Sequence, residues 1–340
     1  MSRIVYVLLL SLMMAVPVMP IPCRADAAGD LKAGTQAADG GRHDEAIAAF
    51  TRALDSGSLS PDEQVLAARA RASAYVAKSL MADAFDRRDE GRRLRGNAVA
   101  DLTRALQLRT GDAELFAERG YVFQVDAQYA KAAADFDAAL KIKRAPMLLM
   151  QRATAYRANG DYDRALADYD DAAKSDLKDT GIEPWDISTE RGYAEFLAGR
   201  FDAATADFTN ALTVGVGVHA GDVLWAPYQL AWLHIAAARA GKDDSKTLAA
   251  FADKINLDQW PGTLVGFFLG RRSADDLAGP GGHGMGRSRD CNMSFFVGQN
   301  ALIKGDTAAA ERHLRHAGEV CNPHTMTALA TGVELARIRR

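Results

Sequence analysis

Four side chains near the C-terminus, His313, His316, Cys321 and His324, are the types and spacing that come closest to a chemical site in this 340-residue sequence. His313 and His316 stand about one helical turn apart and could share an ion, with Cys321 or His324 completing a zinc-type set. The competing reading has Cys321 oxidised, which removes the thiolate a metal requires. Elsewhere the sequence offers little of this kind. "GPGGHGMG" at 279–286 is glycine-rich, yet it lacks the Gly-Lys-Ser/Thr ending that holds phosphates, and no strand precedes it. His234 lies on an apolar helix and reads as a core or groove residue. Asp170-Asp171 and Asp243-Asp244 read as solvated helix ends. No Ser-His-Asp or Cys-His set has a motif around it. The sequence therefore leads us to expect no catalytic residue, no metal and no cofactor, and its function has to be sought in binding.

The elements that would present a binding surface are repetitive. "AERGYVF" at 117–123 returns as "QRATAY" at 151–156 and "TERGYAEF" at 189–196. Each copy has a small residue followed 12 positions later by Ala, then by an aromatic or Leu four further on, and by a second Ala three beyond that. Gly120 leads to Ala132, Phe136 and Ala139, Ala153 to Ala165, Tyr169 and Ala172, and Gly192 to Ala204, Phe208 and Ala211. Gly34 with Ala46, Phe50 and Ala53, and Gly298 with Ala310, Leu314 and Ala317, fit the same frame. The spacing places Ala-aromatic-Ala on one face of a second helix, with the small residue where the first helix crosses it most closely. Gly160 and Gly199 fall in the turns and suit the left-handed cap that ends a helix.

A further copy is interrupted. "RASAY" at 71–75 is followed late by Ala98, Leu102 and Ala105; the gap from Ala72 to Ala98 is 26 residues against 12, an insertion of 14. A hairpin about two turns longer in each helix absorbs it. Its tip would carry Arg87, Arg88, Arg92, Arg93 and Arg95, a basic patch for anionic polymer or lipid headgroups.

These motifs resemble the tetratricopeptide repeat (TPR) family, whose 34-residue unit carries a small-large-Gly/Ala-Tyr stretch and then Ala-Phe-Ala. The distances here are 33 from Gly120 to Ala153 and 39 from Ala153 to Gly192. The tryptophan common near the start of the unit is mostly absent, with Phe116 and Leu149 in its place. The resemblance implies an all-α, helix-turn-helix superhelical solenoid that binds peptides or helices in its concave groove. Carried over position by position, the groove would be lined by Glu114, Tyr121 and Gln124, by Met147, Met150 and Arg157, and by Tyr193 and Phe196. From about 213 to 290 the frame fades, although "WAPYQLAWLHIAAARAG" offers Trp225, Leu230, Leu233 and Ile235 for burial, and 279–290 reads as a flexible linker. "LAWLHIAAARAG", "WPG" and "FFLG" in order resemble secreted TPR proteins of alphaproteobacteria and, more loosely, periplasmic TPR lipoproteins that present proteases to their substrates.

Two cysteines besides Cys23, Cys291 and Cys321, flank the last repeat, and an antiparallel hairpin brings its ends together. A disulfide is the expectation, against two free buried thiols. The N-terminus has a basic start at Arg3, an apolar run from Ile4 to about Met19 and a small-x-small close at Ala25-Asp26-Ala27, which reads as a cleaved secretory signal and places the protein in the periplasm. Cys23 raises acylation as a rival, though "PIP" before it fits a lipoprotein signal poorly. No later run is long enough for a transmembrane segment. A net charge of −3 argues against a nucleic-acid partner. The expected organisation is a signal peptide at 1–27, an array of about five repeats at 28–212, a divergent helical segment with a Gly-rich linker at 213–290, and a C-terminal repeat with a capping helix at 291–340. The expected function is a non-catalytic scaffold for a protein or peptide partner. The alternatives are the envelope-polymer factor above and an accessory subunit that positions a periplasmic hydrolase.

Overall fold

A computed structural model describes residues 26–218, 226–278 and 286–340, and among these every regular element is a helix. Five antiparallel hairpins follow one another: α1 (Ala27–Asp39) with α2 (His43–Asp55), α3 (Pro61–Ala84) with α4 (Arg88–Leu108), α5 (Ala113–Val125) with α6 (Tyr129–Ile142), α7 (Pro146–Ala158) with α8 (Tyr162–Ala173), and α9 (Pro184–Ala198) with α10 (Phe201–Val218). Then come α11 (Ala226–Arg239), three short helices α12 (Ser245–Ala252), α13 (Gly262–Phe268) and α14 (Ala274–Ala278), a last hairpin of α15 (Gly286–Ile303) and α16 (Thr307–Val320), and α17 (Met326–Ile338). Each helix packs mainly on its immediate neighbours in the chain, the arrangement of a solenoid.

The small residue of the repeated frame lies at the helix crossing. A Cβ built on Gly34 would lie 2.6 Å from the Phe50 ring, on Gly120 3.0 Å from Phe136, on Gly192 2.7 Å from Phe208, and on Gly298 2.9 Å from Leu314. Phe50, Phe136, Tyr169 and Phe208 are fully buried. Local signals set the ends. Ser60 and Glu63 form a capping box with Pro61 opening α3, and the Asp112 carboxylate accepts from the amides of Glu114 and Leu115 at the start of α5. Gly199, at φ +80°, ends α9, and Gly160, at φ +83°, does the same after α7. The equivalent place after α5 is filled by Ala127 at φ +56°. The insertion lengthens α3 and α4 to 24 and 21 residues, against 12 to 15 for α5 through α9.

Helices cross both internal boundaries drawn from the sequence. α10 runs through residue 212, and α15 begins at Gly286, so the end of the expected linker at 286–290 is helical. One buried cluster joins the array to everything after it, from Phe196 and Phe208 through Leu230 and Leu264 to Phe295 and Ala330. Its hub is Trp232 of α11, whose ring lies 5.2 Å from Phe196, 5.1 Å from Tyr193 and Phe295, and 5.6 Å from Phe296. Leu230, Leu233 and Ile235 are buried as expected; Trp225 lies outside the described residues, as do residues 1–25 with Cys23, and 279–285.

Candidate partner-binding groove

The arginine that precedes the small residue in four repeats turns out to stitch the array together. Arg119 donates through Nε and Nη2 to both carboxylate oxygens of Asp135, each at 2.8 Å, and through Nη1 to Thr103 of the preceding hairpin at 3.1 Å. Arg152 repeats this with Asp168, twice at 2.8 Å, and reaches back to Asp137 at 2.9 Å. Arg71 holds Asp101 at 2.8 and 2.6 Å and Thr51 at 2.9 Å. A planar guanidinium fits this bidentate role and leaves a third donor for the neighbouring unit. In the fourth rung Arg191 turns to Asp170 at 2.8 Å and stays 3.6 Å from Asp207. Burial, with Glu195 and Asp170 close by, pushes the Asp207 carboxyl up to about 6 although Arg191 opposes it. The ladder is visible in the sequence as an Arg before the small residue and an Asp before the aromatic, beside the packing residues.

The concave side divides into an open half and a closed half. In the open half, α3, α5 and Gln151 of α7 line a cleft of about 540 Å³. Its walls are Leu66, Ala70 and Val76 on α3 with Ala117 and Tyr121 on α5. Leu66, Tyr121 and Met147 are 55%, 40% and 44% exposed, unusually open for large apolar side chains. Arg69 crosses the rim to Glu118 at 2.6 Å and Glu114 at 2.9 Å; burial pushes the Glu118 carboxyl up in spite of that arginine. Gln124 is half-buried beside Tyr121, its Oε1 without a partner, and Met150 is half-buried on α7.

In the closed half the sequence expectation needs correcting. Phe196 is fully buried against Trp232 and Phe201 and is a core residue. Tyr193 packs edge-on against Phe208 and Trp232, and burial pushes its hydroxyl pKa up. Arg157 is buried, donating to Glu190 at 2.6 Å and contacting Met326 Sδ at 2.7 Å. The cause is the later helices that lie across this side: Trp232 of α11 meets Tyr193 and Phe196, and Met326 of α17 meets Arg157. Arg337 donates to the carbonyls of Phe196 and Leu197 at the end of α9, at 3.3 and 2.5 Å, and Glu334, 1% exposed, accepts from Arg239 at 3.0 Å. The junction of the two halves is a second cleft of about 340 Å³, between Tyr121 and Tyr129 on one side and residues 322–326 on the other.

The arginine tip is also corrected. Arg95 is buried between Asp83 and Asp126, both at 2.7 Å, and fixes the hairpin to α5. Arg87 pairs with Glu90, Arg88 with Asp86 and Arg92 with Asp89, while Arg93 is exposed. The tip faces the last hairpin and the loop after it: Arg287 at the start of α15 lies 3.7 Å from Asp86, and His324 of the loop lies 3.8 Å from Asp83.

Cys291 and Cys321 are disulfide-bonded, joining the first turns of α15 to the end of α16. The sulfur of Cys321 is thereby withdrawn from any metal. The histidines go separate ways, His316 to Asp290 at 3.1 Å and His324 towards Asp83, and no group of three metal-ligating side chains occurs among the described residues. His234 accepts or donates at Nδ1 with Asp244 at 3.0 Å and stacks on Phe268, so Asp244 is no free helix end.

Residues 148–179 match the tetratricopeptide repeat family. No curated protein matches the sequence. Among solved structures the fold is similar to a tetratricopeptide repeat protein from Parabacteroides merdae, at 14% identity and a TM-score of 0.53, covering 92% of this chain and 99% of that one. It is also similar to the apo form of RapI, at 14% identity and a TM-score of 0.50, covering 86% and 97%. With its repeat frame, its Gly–aromatic crossings and these likenesses, the chain is a TPR-type helical solenoid.

Proposed function

We propose that this protein is a non-catalytic scaffold, exported to the periplasm, that binds a protein or peptide partner in the open half of its groove. Solenoids of this fold suit protein–protein interaction, because consecutive first helices present one continuous surface. The observation that carries the reading is the strip of Leu66, Tyr121 and Met147, three large side chains left open on three successive first helices. Exposed apolar side chains gathered on one face mark a place where a partner excludes water. Export is supported by the signal-like residues 1–27 and by the disulfide, which persists in oxidising compartments. An accessory role beside a hydrolase is a special case of the same reading. The polymer-binding alternative is weakened, since four of the five tip arginines are matched by acids.

A photo-crosslinking residue placed at Tyr121 or Met147 in the exported protein should give discrete protein adducts, whereas one at the exposed Lys174 should give none. Adducts of equal yield at all three positions would remove the groove reading. Intact mass of the exported chain tests the N-terminus: a start near Ala28 is expected, and acyl chains on Cys23 would replace it with a membrane-anchored form.

A further inference from the structure

α17 sits on the concave side as a ligand would, and its means of attachment set it apart from the helices beneath it. The side chains it buries are Thr327, Ala330, Thr331 and Glu334. Its larger apolar residues Leu329, Val333, Leu335 and Ile338 are only half-buried at the edge of the core. By contrast α9 buries Ile187, Phe196 and Leu197, and α11 buries Leu230, Trp232, Leu233 and Ile235. α17 packs chiefly on α16, the helix before it, and its side-chain hydrogen bonds reach the other helices through polar groups: Arg337 to two carbonyls of α9, Glu334 to Arg239 of α11, Thr327 to Asn292 of α15 at 2.8 Å, and Met326 against Arg157 of α7. Contacts of this kind can be remade by any helix that brings the same groups to the same places, whereas a buried Phe is matched by shape.

Two further observations bear on exchange. The root of α17 is independently fixed, because Cys321, just before the loop 322–325, is bridged to Cys291, so α16 keeps its end if α17 leaves. The helices it faces also retain unspent hydrogen-bonding capacity. Thr189 Oγ1 on α9, Gln229 Oε1 on α11 and Gln299 Nε2 on α15 belong to residues 7%, 6% and 0% exposed, and none of the three atoms has a partner.

We propose that the concave surface of α9, α11 and α15 is a second docking surface, distinct from the open half, and that α17 covers it as an in-chain ligand. The partner it fits is a helix with α17's inner face: Thr or Ala at the first, fourth and fifth positions, Glu at the eighth and Arg at the eleventh, all on one side of an α-helix. The Glu reads Arg239 and the Arg reads the carbonyls that end α9. The proposal rests on the array being a binding scaffold but not on the Leu66–Tyr121–Met147 strip.

The test uses the full chain and, as probe, a fluorescent peptide of residues 324–340. In the parent, the cis helix should keep the peptide out. In the double variant Glu334→Ala/Arg337→Ala, peptide of parental sequence should bind at least tenfold more tightly than to the parent, and peptide carrying the same two alanines should not. Failure of the parental peptide to bind a cooperatively folded double variant overturns the proposal. Hydrogen exchange on the parent decides independently of any variant: amides of α17 should exchange at least tenfold faster than those of α9 and α11, and equal protection would make α17 a permanent cap. A parent that dimerises by trading α17 between copies would put a second copy in place of the partner helix and likewise overturn it.

Discussion

The loosened fourth rung makes Asp207 the most informative single side chain in the array. Its carboxyl is 15% exposed and 3.6 Å from Arg191, which is drawn to Asp170, and its pKa is raised from 3.8 to about 6. Between those two values the unfolded chain has released a proton that the folded chain still holds. Unfolding free energy therefore falls as pH rises from about 4 to about 6, and the penalty is fully present above that window. Two pKa units correspond to about 3 kcal/mol as an upper bound, and solvent reaching the carboxyl reduces this to about 1–2 kcal/mol. Asp207→Asn removes the buried charge while keeping the shape. It should stabilise the protein by about 1–2 kcal/mol at pH 7.5, raising the melting temperature by about 2–4 °C, and by nothing measurable at pH 4. Asp135→Asn is the contrast, because its carboxylate is bidentate to Arg119 and only 9% exposed; it should cost about 2–3 kcal/mol at pH 7.5. Urea unfolding at the two pH values measures both. An Asp207→Asn chain less stable than the parent at pH 7.5, or equally stabilised at both pH values, would refute the reasoning.

Three other substitutions probe the packing. Gly192→Leu places a side chain where a Cβ alone would lie 2.7 Å from Phe208, and should lower stability by about 3 kcal/mol or more in urea, far beyond an exposed change such as Lys174→Leu. Ala127→Gly relieves the left-handed backbone that glycine occupies after α7 and α9, so unfolding free energy should rise by about 0.5–1 kcal/mol; a loss would mean the position is unstrained. Phe196→Ala opens a cavity beside Trp232 and should cost about 3–5 kcal/mol, whereas Tyr121→Ala in the open cleft should cost little; equal midpoints for the two would contradict the division of the concave side.

The sequence by itself determined the repeating unit. Gly120 with Phe136 and Gly192 with Phe208 are 16 residues apart, and a helix-turn-helix of that length has one close crossing, so residue type and spacing were enough to place them. Ladder pairs such as Arg152–Asp168 are equally local and were legible in the same way, as was the Cys291–Cys321 bridge across one hairpin. Only the tertiary structure decided which part of the groove stays open. Tyr121 and Tyr193 stand at corresponding positions of α5 and α9, each one residue after the crossing glycine, and nothing local distinguishes them. One faces solvent and the other Trp232, because curvature summed over several hairpins brings α11, α15 and α17 over the second and not the first. The same closure carried Arg157 into the interior, 169 residues before Met326 in the chain. A contact of that separation depends on every intervening crossing and loop, and no periodicity within one repeat encodes it.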